Sequence, residues 1–90
     1  MDKLIELLRN QDIPDNPVYL TLDILITYNT EYGSFPSYRT IARILGVLLN
    51  KKPVSTATVR RYLLQLEDNN RLERVGKNWK LRGGKFYYGA

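Results

Sequence analysis

Ser55-Thr56-Ala57-Thr58-Val59-Arg60-Arg61-Tyr62-Leu63-Leu64-Gln65-Leu66-Glu67 is the stretch whose periodicity says most about how this chain folds. It opens on a serine, a preferred N-cap because its hydroxyl accepts a bond from a backbone N–H that the first helical turn leaves unpaired. Val59, Tyr62, Leu63 and Leu66 follow at i, i+3, i+4 and i+7, the spacing of one buried helical stripe. With that stripe inward, Thr56, Ala57, Arg60, Arg61 and Gln65 lie toward solvent and Thr58 near the edge. The pattern predicts a helix from the Ser55 cap to about Asn69.

Upstream, Phe35-Pro36-Ser37 starts a similar unit. Ser37 is a second N-cap, Ile41, Ala42, Ile44 and Leu45 recur at helical spacing, and Gly46 is expected to end the helix. Val47 to Val54, with Lys51, Lys52 and Pro53, reads as the connection between the two helices. Earlier still, Asn16-Pro17 is a helix start, an N-cap with proline at the first helical position. That helix is expected from Val18 to about Tyr32, with Gly33 as its stop and Val18, Leu22, Leu25, Ile26 and Tyr28 inward. So wide an apolar surface suits either the central helix of a core or a helix with one face used for pairing. A first short helix, Lys3 to Asn10, is expected with Asp2 as its cap and Leu4, Ile5, Leu7 and Leu8 on its apolar face.

After Asn70 the period shortens. Leu72 and Val75, Trp79 and Leu81, then Phe86 and Tyr88 lie on segments with basic residues between them. Gly83-Gly84 is a two-residue hairpin signal. A second turn at Gly76-Lys77-Asn78 makes a three-strand meander; without it, one strand from Leu72 to Arg82 pairs with Lys85 to Tyr88.

Charge divides the chain in two. Through Ser34, Lys3 and Arg9 stand against Asp2, Glu6, Asp12, Asp15, Asp23 and Glu31, a net −4; the remainder has twelve Lys and Arg against Glu67, Asp68 and Glu73, a net +9. The whole-chain value of +5 hides this polarity. A basic surface of this kind attracts polyanions.

Helix, helix, basic hairpin is the order of a winged helix-turn-helix, and the residues themselves resemble a family. Phe35 to Val47 resembles the second-helix motif of GntR-type DNA-binding domains, and Ser55 to Glu67 resembles their recognition helix. Arg71-Leu72-Glu73-Arg74 is similar to the first wing strand, and the Gly-Gly-Lys-Phe-Tyr-Tyr ending to wings of small prokaryotic and archaeal proteins. The resemblance covers about 54 of 90 residues, from Phe35 to Tyr88. It departs from the family in three places: Leu48 to Val54 lengthen the turn, Asn69-Asn70 replace the usual glycine, and no effector domain follows before Ala90.

The resemblance implies base or phosphate contacts at Thr56, Thr58 and Arg60, with Arg39 clamping phosphate. Ser55 opens the same helix, whose N-terminal N–H groups favour phosphate. Arg60 or Arg61 is placed to read guanine bidentately, and Lys77, Lys80, Arg82 and Lys85 to follow backbone or enter a minor groove. Plainer readings exist for each group. Arg60 and Arg61 also suit a solvated helix face paired with Glu67 or Asp68, Trp79, Phe86, Tyr87 and Tyr88 suit a core seal, and Lys51-Lys52 suits a soluble loop.

Composition narrows the chemistry. With 0 Cys and 0 His there is no disulfide framework, thiolate or imidazole metal site, nor His-dependent catalytic triad. The expectation is therefore no enzyme, no cofactor, no catalytic and no metal-binding residue. No secretory leader and no 20-residue apolar span is evident, so a cytoplasmic protein is expected. The fold expected is mostly helical α+β, one winged-helix domain over residues 1–90: N-terminal helix 1–12, helical core 17–70 and wing 71–90. The function expected is sequence-specific binding of double-stranded DNA in transcription regulation, as a homodimer without a small-molecule effector domain. By family analogy it suits a regulator carried by a virus or plasmid. Replication initiation or partition, and protein–protein adaptation, are the alternatives.

Overall fold

Capping side chains place three of the four helix starts where the sequence predicts them. The computed structural model describes residues 2–49 and 52–82. Its elements are α1 (Asp2–Arg9), α2 (Pro17–Tyr32), α3 (Tyr38–Leu48), α4 (Thr56–Asp68), β1 (Leu72–Val75) and β2 (Asn78–Leu81). Asn16 Oδ1 accepts from the Val18 N–H at 2.9 Å, with Pro17 in the first turn. Ser37 Oγ accepts from the Thr40 N–H at 3.1 Å, and Ser55 Oγ from the Thr58 N–H at 3.0 Å. Each such cap contributes about 1 kcal/mol to its helix. At α1 the expected cap, Asp2, is itself the first helical residue, and the helix ends one residue earlier than expected, at Arg9.

Helix α2 is the hub. It packs against α1, α3 and α4. Beyond the predicted Val18, Leu22 and Leu25, it also buries Leu20, Thr21 and Ile24, because neighbours surround it on several sides. Thr21 is buried at no cost in hydrogen bonding, since its hydroxyl donates to the Pro17 carbonyl at 2.7 Å. Gly33 stops the helix as expected, in the left-handed region at φ 70°, with its N–H on the Asn29 carbonyl at 2.7 Å.

Gly46 does something other than expected. Helix α3 continues through it to Leu48, and Gly46 is buried. A Cβ at this position would lie 2.9 Å from both Cα and N of Pro53. The glycine therefore admits the backbone of the long α3–α4 connection rather than ending the helix. That contact lays the lengthened turn against α3.

Helix α4 buries Val59, Leu63 and Leu66, with Tyr62 partly covered. Its end explains the absent glycine. Asn70 takes the left-handed conformation itself, at φ 61°. The Asn70 N–H reaches the Glu67 carbonyl at 3.0 Å and the Arg71 N–H the Leu66 carbonyl at 2.8 Å, the paired bonds of a Schellman cap.

The strands form an antiparallel hairpin in the register Leu72↔Leu81, Glu73↔Lys80, Arg74↔Trp79, Val75↔Asn78. Gly76 and Lys77 are therefore its two-residue loop, with positive φ at Gly76 alone, the pattern of a type II′ turn. This rules out a single strand from Leu72 to Arg82. The Gly83-Gly84 turn and the strand Lys85 to Tyr88 lie outside the described residues. Leu72, Trp79 and Leu81 are buried with the helical core, so the hairpin packs on the helices. The result is a mostly helical α+β domain, four helices and then a hairpin, consistent with a winged-helix-like arrangement. Among the described residues, no helix is long and apolar enough to cross a membrane.

Candidate nucleic-acid interface

Inside the apolar seam between hairpin and helices lies a polar contact. Trp79, only 9% exposed, donates its indole N–H to the Tyr38 hydroxyl at 2.8 Å. This ties β2 to the first residue of α3 across 41 positions of sequence. The Arg74 guanidinium lies over the Trp79 ring, 4.6 Å from the ring centroid. Arg74 Nη2 also lies 3.6 Å from Glu67 Oε1 on α4. Packing and charge together favour this orientation of the arginine.

Beside that seam lies an open groove of about 270 Å³ lined by Tyr38, Arg60, Arg74, Gly76, Lys77 and Trp79. Three cations from three elements thus face one space: Arg60 from α4, Arg74 from β1 and Lys77 from the hairpin loop. A second groove, about 510 Å³, continues past Lys77 along Phe35, Pro36, Ser37, Asn78 and the Tyr38–Trp79 pair. In such a groove, neighbouring like charges repel one another, and an entering anion relieves that repulsion. The arrangement is chemically suited to phosphate.

The other sequence-predicted residues are spread around this groove. Thr56 is exposed in the first turn of α4. Ser55 and Thr58 are committed to the cap, their hydroxyls 2.9 Å apart and Ser55 Oγ on the Thr58 N–H. Arg61 is exposed on the side of α4 opposite the Val59–Leu63–Leu66 stripe, its guanidinium 6.0 Å from the Tyr62 ring centroid. Arg39 is exposed in the first turn of α3. Lys80 faces away from the groove, because strand alternation puts it on the sheet face opposite Trp79. Arg82 shares that outer face, with Nη1 3.7 Å from Glu73 Oε2. Lys85 lies outside the described residues.

Sequence reading thus finds Arg60 and Lys77 but passes over Arg74 and Tyr38 as site residues. A signal for Arg74 exists. Once the loop is two residues long, the register sets Arg74 opposite Trp79 and on the inward face with Leu72. Tyr38 carries no such signal, since its partner is 41 residues away.

The acidic part of the chain is elsewhere. Lys3 Nζ pairs with Glu31 Oε2 at 3.3 Å between α1 and the end of α2. Asp23 on α2 is partly buried, and loss of solvent pushes its carboxyl above the ordinary 3.8. Comparison of the chain with known protein families, curated proteins and solved structures finds no match.

Proposed function

We propose that this protein binds double-stranded DNA sequence-specifically, with α4 in the major groove and the hairpin on the backbone, and that it regulates transcription by occupying an operator. The observation that carries this reading is the convergence of Arg60, Arg74 and Lys77 on one groove between α4 and the hairpin loop. The GntR-like motifs support the same placement, because both serine-capped helices they span form with the expected buried stripes. Arg61 and Ala57, four residues apart on the outermost line of α4, are the side chains offered to base edges. Arg61 then supplies the bidentate contact to guanine, worth about 1–3 kcal/mol of discrimination.

We further propose a homodimer, since one small module reads too few base pairs for a useful specificity ratio. A shallow groove lined by Ile5, Glu6, Arg9 and Val47 supports α1 as the contact. Glu6 and Arg9 are three residues apart, so a two-fold axis sets each against the other's opposite charge.

Selection of bound duplexes from a random library at about 150 mM salt tests the reading. The expected result is one enriched motif, lost in R61A. Recovery of no motif overturns sequence-specific recognition. Selection from native genomic fragments then separates a regulator, which enriches promoter sites, from an initiator, which enriches iterated origin repeats.

A further inference from the structure

We propose that Arg60, Arg74 and Lys77 act as one clamp on a single phosphate group, so that Arg60 holds backbone and does not read a base. The inference rests on the DNA-binding reading above and assigns its anion site. All three cations line the same groove of about 270 Å³, together with Tyr38, Gly76 and Trp79. The three side chains border one space, and the several acceptor oxygens of one phosphate group can take hydrogen bonds from all of them.

The clamp is built in advance. Arg74 already lies over the Trp79 face and beside Glu67, which biases its guanidinium toward the groove before an anion binds. Trp79 is fixed in turn by Tyr38, whose oxygen accepts the indole N–H and whose own proton remains available for an anion. Glu67 neutralises part of Arg74, and among the described residues Arg60 and Lys77 have no carboxylate partner in the groove. Because Arg60 comes from α4 and Lys77 from the loop, a bound phosphate bridges the helix and the hairpin and sets the angle at which α4 enters the groove of the duplex.

Two arms test this. In the first, inorganic phosphate is titrated to about 50 mM against chloride of matched ionic strength, with amide and indole resonances followed by NMR. Saturable shifts are expected at Arg60, Gly76, Lys77 and the Trp79 indole, and are lost in R60Q/K77Q. Both substitutions are at exposed side chains, which keeps the fold intact. Absence of saturable shifts overturns the clamp, whether or not duplexes bind. In the second arm, the slope of log affinity for duplex against log salt is compared between wild type and R60Q/K77Q. A shared phosphate lowers the slope by no more than about 0.9, whereas two separate phosphates lower it by about 1.8. A change near the larger value, or a loosened preference at one base position in R60Q, overturns the assignment. Saturable phosphate shifts in a protein that binds no duplex overturn the DNA reading and leave the groove a site for free phosphate.

Discussion

Tyr38→Phe deletes a single oxygen, yet it leaves the indole N–H of a residue that is 9% exposed without its acceptor. The expected loss is about 1–3 kcal/mol, the cost of an unsatisfied buried donor. Denaturant unfolding followed by the emission of Trp79, the chain's one tryptophan, measures it directly. Asp23 behaves in the opposite way. Its carboxyl is raised by burial, so the folded state binds that proton more readily than the unfolded state does. Stability contributed by this group is therefore greatest at low pH and declines as pH rises through the raised value. Asp23→Asn is expected to raise the thermal midpoint at pH 7, with the gain fading as pH falls toward the ordinary 3.8. A gain that grows on acidification contradicts the sign.

At the scale of elements, two backbone positions carry measurable consequences. Asn70 holds a left-handed φ of 61° inside the α4 cap, where glycine is the residue with no steric cost. Asn70→Gly is expected to be neutral or slightly stabilising, and Asn70→Ala to cost about 1 kcal/mol, by chemical denaturation. Gly46 lies in helical backbone, and what it lacks is room: a methyl there meets Pro53 backbone at 2.9 Å. Gly46→Ala is expected to cost about 1–3 kcal/mol despite alanine's better helix propensity. These two residues also show how far the sequence can be read. Caps at Asn16, Ser37 and Ser55 and the stripe Val59–Leu63–Leu66 are local patterns, and they are legible without a structure. Gly46 as a close-approach site and Trp79 as the partner of Tyr38 depend on contacts distant in sequence, which no local period encodes. The hairpin falls between the two cases. Gly76 and the pair Gly83-Gly84 are both turn signals in the sequence, but the choice of Gly76-Lys77 as a turn needs Leu72 and Leu81 to be buried together.

Across the whole molecule, the charge polarity acquires a geometry. Arg60, Arg74 and Lys77 line one groove, while the acidic residues Glu6, Asp23 and Glu31 belong to α1 and α2. A duplex approaching this field is drawn to the first and repelled from the second. On the reading proposed above, this separation keeps the α1 side for a second subunit. It also gives the DNA reading a spatial signature that an adaptor protein does not share. Backbone amide mapping by NMR, with duplex DNA titrated into labelled protein, tests that signature most directly. Perturbations are expected at Arg39, at Thr56 to Arg61 and at Arg74 to Lys77, with α2 and the Lys3–Glu31 pair unmoved by the duplex. Perturbations centred on α1 and α2, or none at all, contradict the account.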